Sequence, residues 1–177
     1  MSIYIEWLVL VLLSWVFDLL GLLVLPFAIY FSDGKTLPAW AWPWGNDREP
    51  LGDAARRADI DAATGFVRGW LRFRWLALRN PGNNVGYALG FVQSGARYSY
   101  SGDPETSDQG HEGVLHVTGD NVRQRAFCVY IVKRWGTTRC LRIMLGWKIH
   151  DMINDGTKAQ LVCVVNPLMT FEERAAA

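Results

Sequence analysis

The residues of this chain best suited to chemistry are two histidines and a short run of carboxylates. His111 and His116 flank Glu112-Gly113-Val114-Leu115, and Asp103, Glu105 and Asp108 lie just before them. Imidazoles and carboxylates together hold zinc or exchange protons. A helical zinc site, however, needs its histidines four apart so that both rings share one face. Here the spacing is five, and the run reads as a strand, in which residues five apart point to opposite faces. No metal site, no cofactor and no catalytic residue is therefore expected. A membrane-tethered enzyme using His111, His116 and the acidic loop stands as the alternative. His150-Asp151 reads as a solvated pair at a strand end. No serine lies in a nucleophile-elbow context, and no glycine run has phosphate-binding spacing.

A second grouping interleaves Arg134, Arg139, Arg142 and Lys148 with Trp135 and Trp147. Basic and aromatic side chains alternating in this way can stack single-stranded nucleic acid. Exposed sheet faces carry such charges routinely, and a net charge of +1 over 177 residues gives no polyelectrolyte signature. Nucleic acid is not the expected partner. Cys128, Cys140 and Cys163 are odd in number, dispersed and set in apolar runs. They predict neither a disulfide scaffold nor a zinc knuckle, and they fit a reducing compartment.

The elements that must position these groups begin with an apolar run. Trp7 to Phe31 carries one formal charge, Asp18. As a helix rising about 1.5 Å per residue it is roughly 37 Å long, enough for a hydrocarbon layer of about 30 Å. A cleaved signal would need a basic start and a small-residue cleavage site, and neither is present. The expectation is a transmembrane helix within residues 1–35, ending near Ser32-Asp33-Gly34. The alternatives are a buried core helix, or a shallow or re-entrant arrangement turning at Gly21 or Pro26 in which Asp18 reaches water. No Lys or Arg precedes it, whereas Lys35, Arg48, Arg56, Arg57, Arg68, Arg72, Arg74 and Arg79 follow. The positive-inside rule then puts residues after the span in the cytoplasm. A carboxylate at mid-bilayer costs about 2.5–3.5 kcal/mol on insertion scales. Ser14, Asp18 and Gly21 share one helical stripe of small and polar residues, of the kind membrane helices use to pair. That stripe is the expected interface for a homo-oligomer or another membrane protein.

Residues 36–82 form a juxtamembrane region. Trp40, Trp42 and Trp44, set among prolines, are expected at headgroup depth, with a loop packed against the soluble domain as the alternative. Asn46 to Gly52 reads as a turn, and Asp53 as the cap of a short helix. Thr64 to Asn80 reads as an amphipathic helix with Phe66, Trp70, Phe73 and Ala77 on one side and Arg68, Arg72 and Arg79 on another. Those arginines either meet lipid phosphates or are solvated on a helix that covers the sheet. Residues 83–172 read as a small antiparallel β domain with strands at Tyr87–Gln93, Gly113–Val117, Ala126–Arg134, Arg139–Lys148 and Ala159–Asn166. A hairpin is expected at Arg134-Trp135-Gly136-Thr137, loops at 94–110, 118–120 and 151–158, and a frayed tail over 173–177. The fold class is α+β.

With these residues in view, the chain resembles a family of uncharacterised small proteins of tailed bacteriophages. The resemblance is carried by the apolar segment followed by Leu37-Pro38-x-Trp40, and by Arg74-Trp75-Leu76-x-x-Arg79-Asn80-Pro81. It continues in Lys133-Arg134-Trp135-Gly136, in Leu141-Arg142-Ile143-x-Leu145-Gly146-Trp147-Lys148 and in Asn166-Pro167. It implies a viral origin and a location at the bacterial host's inner membrane. The family carries no established activity, so it assigns no catalytic residue. The expected function is interaction with host or phage components by a membrane-anchored protein that is not an enzyme. An anionic-lipid or nucleic-acid-binding module is a further alternative. A topology reporter fused after Ala177 should read as cytoplasmic, and a reporter active only in the periplasm would reverse this orientation.

Overall fold

Leucine-rich sequence without a β-branched run is strongly helical, and Ile3–Tyr30 forms one helix of 28 residues, α1. Pro26 lies inside it without ending it. Ser32 closes the last turn, where its backbone N–H and its hydroxyl both donate to the Ile29 carbonyl, at 3.2 and 2.7 Å. The structure, a computed structural model, describes residues 2–32, 36–45, 54–79, 81–91, 98–106, 111–119, 125–150 and 158–170. Asp33, Asp53, Asn80, Asp108, Asp151, the turn at 46–52 and the tail at 173–177 lie outside them, as do the side chains of Arg56, Arg57 and Arg79. The chain divides into two compact units, Met1–Val11 with Leu89–Ala177, and Leu12–Ala88. The architecture is α+β.

The first unit is built on a five-stranded antiparallel sheet in sequence order: β1 (Tyr98–Gly102), β2 (Gly113–Gly119), β3 (Arg125–Trp135), β4 (Arg139–Trp147) and β5 (Leu161–Thr170). Alternation along the strands sets the two faces. Leu115 lies opposite Cys128 and Val117 opposite Ala126, all buried. On the other face Phe127 stands edge-to-face with Trp147, 5.7 Å between centroids. The first turns of α1 pack on that ring. Trp7 and Tyr4 approach Phe127 at 5.6 and 4.9 Å, and the Trp7 indole donates to the Val162 carbonyl at 3.1 Å. Val11 completes this core. All three cysteines are free; Cys128 and Cys140 are buried, and burial pushes the half-buried Cys163 thiol up.

Pro167 decides the shape of the sheet's last edge. Proline has no N–H for a ladder, so within sheets it sits at edges and bulges. The register steps from Cys140↔Met169 to Arg142↔Asn166, which leaves Pro167 and Leu168 against Leu141 alone. Side chains meet the displaced backbone groups. The Trp135 indole donates to the Pro167 carbonyl at 2.7 Å and Arg139 to the Leu168 carbonyl at 2.6 Å, while the Leu168 N–H donates to Asn166 Oδ1 at 2.9 Å. The strand expected to end at Asn166 therefore continues to Thr170.

The second unit gathers the rest of α1, a 3-10 turn (Ala39–Trp44), α2 (Ala54–Ala62), α3 (Gly65–Phe73), a π turn (Arg74–Arg79) and α4 (Asn83–Ala88). Its core is Leu25, Ala28, Ala41, Trp44, Trp75, Leu76 and Ala77. Asn84 Nδ2 donates to the Trp42 carbonyl at 2.8 Å and ties α4 to the 3-10 turn.

Three sequence expectations are corrected. Of the strand expected over 87–93, Tyr87 and Ala88 instead end α4 and Phe91 makes one antiparallel bridge to Ala159, while 92–93 lie outside the described residues. Gly82, at φ +52°, turns the chain after Pro81, and its carbonyl accepts from the Gly86 N–H as the helix starts. The expected loop at 94–110 contains β1, a polar edge strand whose order comes from pairing with β2. The single helix expected over 64–80 is α-helical to Phe73 and π-wound beyond it.

Gly146 has φ +103°, and a Cβ there would overlap the Phe127 carbonyl oxygen. Gly146→Ala should lower the stability of the detergent-solubilised chain by about 1–3 kcal/mol or more, read by thermal unfolding. Gly69→Ala, in α3 with no atom within 4 Å of the new Cβ, should raise it by roughly 0.5–1 kcal/mol.

Candidate membrane-facing site

Burial divides α1 lengthwise. Ile3, Trp7, Val11, Ser14, Asp18, Gly21, Leu25 and Ala28 recur at three- and four-residue steps and are buried or half-buried. Such steps place them on one face. Ile5, Leu8, Leu12, Trp15, Leu19, Leu23 and Phe27 occupy the opposite side and are exposed, Leu19 to 66 % and Leu23 to 70 %. A polar opposite face is what an aqueous helix would carry; here both faces are apolar and only one is covered.

The stripe of Ser14, Asp18 and Gly21 falls on the covered face, and the chain's own residues pack on it. Gly21 receives the Trp44 indole: a Cβ there would lie 2.7 Å from Trp44 Cδ1 and 2.8 Å from Nε1. The missing side chain lets that indole donate to the Phe17 carbonyl at 2.7 Å. Asp18 lies against Gly82, and its buried Oδ1 has no hydrogen-bond partner among the described residues. Ser14 is half-buried.

The three juxtamembrane tryptophans separate in the same way. Trp40 and Trp42 are exposed, whereas Trp44 is core. In α3 Phe66 and Trp70 face outward, 86 % and 47 % exposed, while Phe73, stacked on Trp70 at 5.7 Å, is half-buried against the core of the unit. Arg68 is drawn back to α2, where Nε donates to the Ile60 carbonyl at 3.1 Å and Nη2 reaches Asp61 Oδ1 at 3.4 Å. Arg72 is 6 % exposed. The expected arginine row is thus not one open surface: the guanidinium of Arg72 belongs to the interior and that of Arg68 to a surface ion pair. Helical spacing placed Phe66 and Arg72 on different sides correctly, but only tertiary packing decides which side is covered.

The other groups singled out by type do not converge. His111 Nε2 is 2.9 Å from Asp103 Oδ2, whose other oxygen accepts from the Glu105 N–H at 3.0 Å. His116 meets the Tyr4 hydroxyl at 2.9 Å instead. Among the described residues no group of three or more His, Cys, Asp or Glu could hold a metal. Trp147 is core, Arg142 lies over the Tyr130 ring at 5.7 Å, and Arg134 and Trp135 bond backbone carbonyls.

Residues 1–173 match a family of unknown function, DUF7338. The chain belongs to this family. No curated protein and no solved structure matches it. The family match covers the apolar helix and the sheet alike, and α1 is long and apolar enough to cross a membrane.

The different settings of the two arginines have separable consequences. Arg72→Gln, at a buried position, should lower stability by about 1–3 kcal/mol. Arg68→Gln, which removes an exposed pair, should change it by no more than about 1 kcal/mol. Thermal unfolding of both variants in one detergent reads the difference.

Proposed function

We propose that this protein is held at a membrane by α1 and acts by presenting its β domain to a partner. The observation that carries this reading is the open apolar side of α1. Contiguous apolar surface larger than a few hundred Å² is rare on soluble monomers and marks a surface that is covered in use. Here it includes leucines at 8, 12, 13, 19, 20, 22 and 23 together with Trp15, Val16 and Phe27. Tyr30, Phe31, Trp40 and Trp42 are exposed as well, and Trp and Tyr are the side chains that favour headgroup depth.

The resemblance to proteins of tailed bacteriophages supports the bacterial host's inner membrane, and the positive charge following α1 favours its anionic cytoplasmic face, with the β domain in the cytoplasm. Three free thiols accord with that side. An interaction role is favoured over an enzymatic one because His111 and His116 have separate partners, Asp103 and Tyr4. Host or phage components are the proposed partners.

Membrane attachment is tested by fractionation. The wild-type chain should stay with the membrane pellet through an alkaline carbonate wash. Leu12, Leu19 and Leu23 contact little within the chain, and burying each in lipid is worth about 1.5–3 kcal/mol. Changing all three to Gln should move the protein to the supernatant with its thermal transition intact. Wild-type protein found in the supernatant would overturn the reading.

A further inference from the structure

We propose that α1 lies along the membrane surface, embedded in one leaflet on its open face, and does not cross the bilayer. This rests on the membrane reading above and goes beyond it. A crossing helix puts its two ends in different aqueous phases, and whatever packs on its middle must tolerate hydrocarbon. Both units conflict with that arrangement, each by itself.

In the first unit, residues 3–11 are part of the sheet's own core. Val11 is buried with Leu115 and Phe127, Trp7 donates to the Val162 carbonyl, and the Tyr4 hydroxyl meets His116. Among the described residues that sheet is open, with β1 and β5 at its edges. Open edges carry unpaired backbone groups and do not occur within lipid. Lys133, Arg134 and Arg139 stand exposed on its strands. These turns of α1 are therefore held where the sheet is, outside the hydrocarbon.

In the second unit, the covered face of residues 12–30 packs with the 3-10 turn and the π turn. The π turn opens with exposed Arg74, and α3 before it holds Arg68 and Arg72. Charged side chains are strongly disfavoured at the bilayer centre, and exposed Arg74 and the half-exposed Arg68–Asp61 pair are at home at headgroup depth. Residues 12–30 thus have a charged body along one side and bare leucine, tryptophan and phenylalanine along the other. The occupant that fits the bare side is lipid: acyl chains under the leucines, and headgroups beside Trp40, Trp42, Arg68 and Arg74.

Site-directed labelling of the full chain in bacterial membranes tests this. Cysteine is placed at two exposed positions flanking α1, as Ser2→Cys just before it and Thr36→Cys six residues past Tyr30. The wild type serves as the blank, since Cys128 and Cys140 are buried and Cys163 half-buried. With a membrane-impermeant maleimide, both sites should react in vesicles of one orientation and be protected in the other. Reaction of the two sites from opposite faces would overturn the proposal while leaving membrane attachment intact. Absence of the protein from the vesicles would sink both. A second measurement uses nitroxides at Leu12, Leu19 and Leu23 and reads depth from oxygen accessibility. In-plane placement predicts one common depth, whereas a crossing helix spreads residues 12 to 23 over about 16 Å. Strong dipolar broadening at Leu19 would put a second copy on the open face in place of lipid, and would also overturn the proposal.

Discussion

Much of the helical unit depends on a side chain that is not there. Because residue 21 is glycine, the Trp44 indole can lie against α1 closely enough to donate to the Phe17 carbonyl at 2.7 Å. A Cβ would occupy the ring's position. Trp44 in turn brings Ala41 with it, and the cluster of Leu25, Ala28, Trp75, Leu76 and Ala77 closes around them. Small residues on a leucine helix are the usual means by which helices approach closely where apolar burial alone gives no direction. Here two positions of the stripe, Gly21 and Asp18, lie against Trp44 and Gly82 of the same chain.

The sheet is governed by a comparable local constraint at its far edge. Pro167 cannot donate, so β5 bulges, and the bulge leaves carbonyls that need donors. Trp135 and Arg139, the residues flanking the β3–β4 turn, supply them. Two residues that look from their types like part of a nucleic-acid surface are thereby engaged in holding an edge strand. A bulged edge with its carbonyls engaged also makes a poor template for pairing with another chain. The same economy applies at the β1–β2 end, where Asp103 and His111 face each other across the connection at 2.9 Å.

These two units give α1 its particular character. Each covers one side of its own stretch of the helix with a body that carries charge, and each leaves the other side apolar. An apolar helix of this length reads from composition as a membrane span. Composition does not register that one of its faces already belongs to polar bodies. In the proposed in-plane placement that cover decides between crossing a bilayer and lying in it, because a helix surface can be solvated by lipid only where the protein leaves it bare.

The sequence by itself determined the apolar helix from its leucine run, the α+β class, strands β2 to β4 from short alternating runs, the hairpin at Gly136 and the free state of the cysteines. These rest on local signals: periodicity, turn residues and spacing. It also showed that Ser14, Asp18 and Gly21 share a face, since helical geometry requires it. What lies on that face was decided by tertiary structure, through Trp44 and Gly82 contacts made from far along the chain. Likewise the pattern of Phe66, Trp70, Arg68 and Arg72 establishes two sides of a helix and leaves open which one is covered. Packing covers Arg72 and exposes Phe66, against the polarity of both. The short helix at Asn83–Ala88 and the strand at Tyr98–Gly102 were illegible for a related reason. Each is too short and too weakly patterned to declare itself, and each takes its form from a neighbour, the Trp42 carbonyl in one case and the β2 ladder in the other.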